Sequence, residues 1–225
     1  GTAVGGVVAA RDSNGLGGRG VAPRASLVGY NALANDQDSE VLDALVRDQG
    51  KNHIYNNSWG AEDDGHFNTP ASRSAQVGTI LNGLRNGRNG LGSIYTFAGG
   101  NGGANGDYSV LDGNVSMLGV IPVCGTNAAG KRAPYSEPGP NLIVCAPSSD
   151  MGQAKGSSLP DVTTTTLQNQ YTAKFNGTSA ATPMISGVIA LMLQANPNLT
   201  WRDVPLVLAR SARQVDPTNA GWTSY

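Results

Sequence analysis

The stretch Asn176-Gly177-Thr178-Ser179-Ala180-Ala181-Thr182-Pro183 runs directly into Met184 to Ala195, an apolar segment interrupted only by Ser186, Gly187 and Gln194. A turn of small residues thus delivers a serine to the start of a buried-type helix, expected over residues 179–195. A hydroxyl there meets unpaired backbone N–H groups and the positive end of the helix dipole, which stabilise negative charge on a nearby oxygen. On position alone, the ordinary explanation of such a residue is an N-cap. What the rest of the chain places beside Ser179 decides between a cap and a nucleophile.

Outward from this segment, strand-like and helix-like stretches alternate. Upstream lie strand patterns at 25–30, 53–58, 93–98, 117–124 and 141–146, separated by helical periodicity at 3–10, 38–49 and 71–87, the last with Val77, Ile80, Leu81 and Leu84 on one face. A Ser/Thr-rich stretch covers 155–168, and a second helix follows at 201–213. This alternation predicts an α/β fold with a mostly parallel central sheet and helices on both faces, its site in loops beyond the carboxyl ends of the strands. The loops at 59–69 and 99–112 are the places to look.

Bulk properties narrow the function classes. With 39% hydrophobic and 14% charged residues, 225 residues can bury one sizeable core, and 31 glycines suit a loop-rich enzyme. A net charge of −1 supplies no basic field for nucleic acid or anionic membrane. The apolar run Met184 to Ala195 falls short of the roughly 20 residues that span a bilayer. Cys124 and Cys145 are read either as a disulfide or as two buried thiols. Sequons at Asn56, Asn114, Asn176 and Asn198 carry little weight, since one lies in the Ser179 loop.

Gly177-Thr178-Ser179-Ala180-Ala181-Thr182-Pro183 resembles the serine signature of the subtilisin-like serine proteases, and further segments follow in that family's order. Gly1-Thr2-Ala3-Val4 resembles the residues after the catalytic histidine, and Gly20-Val21-Ala22-Pro23 a segment shortly downstream. Ser58-Trp59-Gly60 resembles the strand that binds substrate backbone, and Ala98-Gly99-Gly100-Asn101-Gly102-Gly103 the loop bearing the oxyanion asparagine. Ser58 to Gly65 and Leu199-Thr200-Trp201-Arg202-Asp203 resemble the kexin/furin-like proprotein convertase branch. The resemblance implies the three-layer subtilisin-like fold and a serine endopeptidase, with Ser179 as nucleophile and Asn101 donating its amide to the oxyanion. It implies a substrate-backbone site at Ser58, Trp59 and Gly60.

The same resemblance implies calcium. Asp63, Asp107 and Glu137 match the acidic ligands of an ion beneath the specificity pocket, and three carboxylates from separate loops suit a hard cation. Asp112 matches the carboxylate at the pocket base, which implies protein or peptide substrates with Arg or Lys before the cleaved bond. The loop Arg11-Asp12-Ser13-Asn14-Gly15-Leu16-Gly17-Gly18 resembles a second metal loop, with the Asn14 side-chain oxygen and the carbonyls of Arg11, Leu16 and Gly18 as ligands, incomplete in this chain. Secretion follows from the family alone.

Departures bound this reading. Neither His53 nor His66 fits the base, which in the family stands just before the residues matching Gly1-Thr2, with the aspartate further upstream. The chain is therefore expected to be a truncated catalytic domain, lacking both of those residues and any β-rich P domain beyond the C-terminus. Asn68-Thr69 stand where furin-like enzymes carry an acid, so a dibasic preference does not follow. Gly15-Leu16-Gly17-Gly18-Arg19-Gly20 fits G-x-G-x-x-G, but a helix precedes it and a strand follows, the reverse of a dinucleotide site. An inactive peptide-binding module with the same fold is the alternative from another class. The sequence leaves the oligomeric state open.

Overall fold

The computed structural model describes residues 1–34, 37–67, 73–150 and 159–218. Residues 68, 69, 71 and 72 and the first four of the 155–168 stretch, all used in the sequence reading, lie outside the described residues. Four parallel strands form the central sheet in the order β1 (Ile54–Asn57), β2 (Ile94–Ala98), β3 (Val120–Thr126) and β4 (Val144–Pro147). The register pairs Tyr55 with Tyr95, Phe97 with Pro122 and Cys124 with Cys145. That last pair forms a disulfide, settling the sequence alternative between paired and free thiols.

Strand alternation sorts side chains to the two faces of the sheet. On one face Ile94, Ile121, Val123, Val144 and Ala146 pack against Ile185, Ile189 and Leu193 of α4 (Thr178–Ala195) and Val204 and Leu208 of α5 (Asp203–Ser211). On the other, Tyr55, Tyr95, Phe97 and Val120 meet Ile80 and Leu84 of α3 (Arg73–Asn86), with Val77 and Leu81 beside them. Helices therefore cover both faces, as the alternating sequence predicts. By length and composition alone α4 is apolar enough to cross a membrane, but it lies against all four strands of the sheet. It is the core helix of the domain, onto which α1 (Thr2–Ala9) also packs.

Other expectations need correcting. Residues 25–30 form no strand: they run without a ladder partner, and Leu27 and Val28 are exposed. Their apolar content is that of a strand, but strand structure requires a neighbouring ladder. Helix 38–49 shortens to α2 (Asp38–Ala44), after which the chain turns through Asp48 at a φ of 56°. The Ser/Thr-rich stretch becomes β5 (Val162–Thr165), antiparallel to an unforeseen β6 (Tyr171–Phe175). Gln168 and Asn169 at φ 57° and 58° make the left-handed turn between them, a hairpin signal that was legible in Asn169.

Candidate active site

Ser179 stands in the first turn of α4, reached through Gly177 at φ 75° and ψ 173°. Only glycine adopts that conformation cheaply, and a β-carbon there would lie 3.1 Å from the Asn101 Oδ1. The helix entrance is locked onto the loop after β2. The Thr178 backbone N–H and hydroxyl both donate to Asn101 Oδ1, at 2.8 and 3.0 Å. Its oxygen is thus engaged twice, and Asn101 lines a cleft together with Ser179.

Trp59, Gly60 and Asp112 line the same cleft. Trp59 is held edge-on against Phe97, with ring centroids 5.3 Å apart. Asp112 Oδ2 lies 3.2 Å from where a Gly60 β-carbon would stand, so side-chain bulk at 60 would press on the carboxylate. Burial raises the Asp112 pKa, and Asp63 adds to the rise, while hydrogen bonds from the Asn114 and Ala61 backbone and the Arg73 charge oppose it. Ser58 borders Ser179 from β1's exit: its hydroxyl donates to the Ser179 carbonyl at 3.1 Å, and the Ser179 hydroxyl donates to the Ser58 carbonyl at 3.3 Å.

Asp63, Asp107 and Glu137 also converge, each offering a carboxylate oxygen within 4.8 Å of the others. Glu137 and Asp107 are buried, and Asp107 Oδ2 has no hydrogen-bond partner. Gly100 and Gly102 make room for them, since β-carbons there would fall 2.0 Å from Glu137 Oε1 and Asp107 Oδ2 respectively. Burial pushes Glu137 up to about 7, with help from the charges of Asp107 and Asp63. An all-oxygen cluster with two buried members and an orphaned acceptor fits a hard divalent cation. It also reaches the loop after β2: Asp63 Oδ1 accepts from the Asn101 N–H at 2.9 Å, and Glu137 Oε1 from the Gly102 N–H at 3.1 Å.

The structure does not bring the 11–18 loop to this cleft. Arg11, Asn14, Leu16 and Gly18 are exposed and none lines it; the Asn14 oxygen accepts from the Leu16 N–H at 3.0 Å, and Arg11 donates to the Pro23 carbonyl. His66 lines the cleft beside Asp64, 3.4 Å away, while His53 precedes β1 with its pKa lowered by burial and by Arg88. Sequence reasoning missed three polar residues behind Ser179, namely Asn56, Thr96 and Ser186. Polar side chains on the α4-facing positions of otherwise apolar elements were the available signal.

The sequence matches the Subtilase family, Peptidase S8, over residues 1–223. It is 36% identical to Furin-1 of Xenopus laevis over 99% of this chain and 28% of that protein, and 39% identical to the dibasic-processing endoprotease of Schizosaccharomyces pombe over 93% of this chain and 29% of that protein. Among solved structures, the Aeromonas sobria serine protease in complex with its chaperone ORF2 superposes with a TM-score of 0.83 at 27% identity, covering 97% of this chain and 44% of that one. A cold-adapted subtilisin-like serine proteinase shares the fold, with a TM-score of 0.69 at 23% identity over 94% of this chain and 67% of that one. The chain spans under a third of the length of these curated relatives.

Proposed function

The chain belongs to the subtilase family, and from that premise we propose that it carries the nucleophile, oxyanion site and specificity pocket of a serine endopeptidase. The observation that carries this reading is the double hydrogen bond from Thr178 to Asn101 Oδ1, which fixes an amide donor beside a hydroxyl at a helix N-terminus. In the proposed reaction Ser179 Oγ attacks the scissile carbonyl, the C–N bond breaks as the leaving amine takes up the proton removed from Oγ, and water then hydrolyses the acyl-enzyme to release the acid and free Ser179. The Asn101 amide and the Ser179 backbone N–H receive the negative charge that develops on the carbonyl oxygen. The proton leaving Oγ needs a general base, a role that we assign to neither His53 nor His66. The domain proposal is that residues 1–225 form part of a catalytic domain that acts together with such a base.

Substrate backbone would lie along Ser58, Trp59 and Gly60, and the side chain before the cut would meet Asp112. A carboxylate in that cleft supports protein or peptide substrates with Arg or Lys at that position, consistent with similarity to the fission-yeast dibasic-processing endoprotease. Calcium is the proposed ion at Asp63, Asp107 and Glu137; when bound it supplies positive charge that offsets three clustered carboxylates. A second calcium at Arg11, Asn14, Leu16 and Gly18 remains a proposal from resemblance alone. The Cys124–Cys145 disulfide supports the secretory pathway as the compartment.

The test is reaction of the protein, with its general base present, with arginyl and phenylalanyl peptide phosphonates, followed by mass mapping of the adduct. The reading predicts an adduct on Ser179 that forms faster from the arginyl reagent and is abolished by Ser179→Ala. Equal rates for the two reagents would remove the basic preference. Binding without any adduct, in protein that carries the base, would favour the inactive peptide-binding module.

A further inference from the structure

We propose that Asn56, Thr96 and Ser186 are positioning residues for Ser179, acting through Ser58; the proposal rests on Ser179 being the nucleophile. The starting point is a gap in α4. In a helix each carbonyl accepts from the N–H four residues on, but the residue four after Ser179 is Pro183, which has no N–H. The Ser179 carbonyl is thereby left without a helical donor, and the Ser58 hydroxyl supplies the replacement at 3.1 Å.

Proton counting then fixes the direction of everything behind Ser58. A carbonyl only accepts, so Ser58 must donate to it and accept from elsewhere, and Asn56 Nδ2 donates to Ser58 Oγ at 3.0 Å. Asn56 Oδ1 accepts from the Ser186 hydroxyl at 2.8 Å. Having donated its one proton, Ser186 accepts from Thr96 Oγ1 at 2.7 Å. Four donors thus point in series at the main chain of the nucleophile, from Thr96 through Ser186, Asn56 and Ser58.

The chain crosses three elements, and Thr96 and Ser186 are 0% and 3% exposed. Ile54, Asn56, Ile94 and Thr96 occupy the α4-facing side of β1 and β2, so the polar members sit toward the strands' carboxyl ends, next to the cleft. In so dry a layer each bond polarises the next, and loss of any member leaves a buried group unsatisfied. The network therefore holds the first turn of α4 to the exit of β1 and sets where Ser179 Oγ stands relative to Asn101.

The test uses chain labelled with 13C′-serine and 15N-alanine, which has only three Ser-Ala steps, Ser74-Ala75, Ser179-Ala180 and Ser211-Ala212. The Ser179→Ala variant identifies its carbonyl peak, and the other two report on folding. Ser186→Ala and Thr96→Val are expected to move the Ser179 carbonyl resonance upfield, while Ser186→Thr restores it. Reaction with a fluorophosphonate should slow roughly two- to tenfold at saturation, the range that one hydrogen bond supports, with reagent affinity unchanged. In a Pro183→Ala background, where the helix regains its own donor, Ser186→Ala should have little effect on either readout. An unmoved Ser179 peak in Ser186→Ala and Thr96→Val, or a moved peak with an unchanged saturating rate, overturns the positioning role. Reactivity is measured on protein that carries its general base, and if the peak moves but that wild-type protein gives no adduct at Ser179, the network stands and the protease reading is what fails.

Discussion

At the scale of single residues, the site depends on which end of Asn101 is free. Thr178 takes the oxygen through two donors, which in the proposed reaction leaves the amide for the developing oxyanion. Replacing Asn101 with Ala should lower turnover by ~10²–10³ with little change in KM, because the bond is made only in the transition state. Steady-state kinetics check this, and a loss confined to KM would reassign Asn101 to ground-state binding. Gly177 is the second such residue. A Gly177→Ala variant must hold an L-residue at φ 75° and push its β-carbon toward Asn101, which should cost about 1–3 kcal/mol in urea unfolding. Turnover should fall with it, since the strain is relieved by moving Thr178 away from Asn101.

At the scale of elements, the sheet is closed on its β4 side by a covalent tie. Cys124 and Cys145 are directly paired across β3 and β4 and 21 residues apart in sequence, so the bridge closes a loop whose removal from the unfolded chain's constraints is worth about 3 kcal/mol. Unfolding of the Cys124→Ala/Cys145→Ala protein measures that loss, and a loss below about 1 kcal/mol would mean that the ladder alone holds β4. Most of these elements were legible because burial leaves a periodic trace: Val77, Ile80, Leu81 and Leu84 announce α3, and the apolar run through Leu193 announces α4. Residues 25–30 carry the same trace and form no strand, because pairing depends on a neighbour and composition does not encode one. β6 was missed for the converse reason, since Tyr171, Ala173 and Lys174 are exposed and its stability comes from β5. At the site, Ser179 and Asn101 lie in short contiguous strings, while Asp112 and the three acids were picked out only through resemblance to the family. Asn56, Thr96 and Ser186 belong to three separate elements and are joined only in space, so no local string marks them.

At the scale of the whole molecule, the acidic cluster couples stability to pH and metal. Glu137 rises to about 7 in the folded chain from an ordinary value of 4.5, through burial and the neighbouring charges of Asp107 and Asp63. Below about pH 4.5 the carboxyl is protonated in both folded and unfolded chains and makes no difference. Between about 4.5 and about 7 the folded chain retains a proton that the unfolded chain has released, so this group's contribution falls as pH rises, and the loss is complete above about 7. Metal-free protein in chelator should therefore lose thermal stability across that window, and Glu137→Gln should flatten this part of the profile. A cation at Asp63, Asp107 and Glu137 favours the charged forms, so its effect must run the other way, greatest above about pH 7 where Glu137 is ionised. At a hundred times its Kd, calcium would add about 2.7 kcal/mol, which for a chain of this size raises Tm by roughly 5–10 °C. Melting curves at pH 5 and pH 8, with calcium, magnesium or chelator, separate the cases. A calcium shift that is equal at both pH values, or that survives Asp107→Asn with Glu137→Gln, would place the ion elsewhere. Because Asp63 and Glu137 accept from the Asn101 and Gly102 N–H groups, calcium occupancy should also raise the rate at which Ser179 is phosphonylated, making the specificity pocket's ion a support for the oxyanion loop.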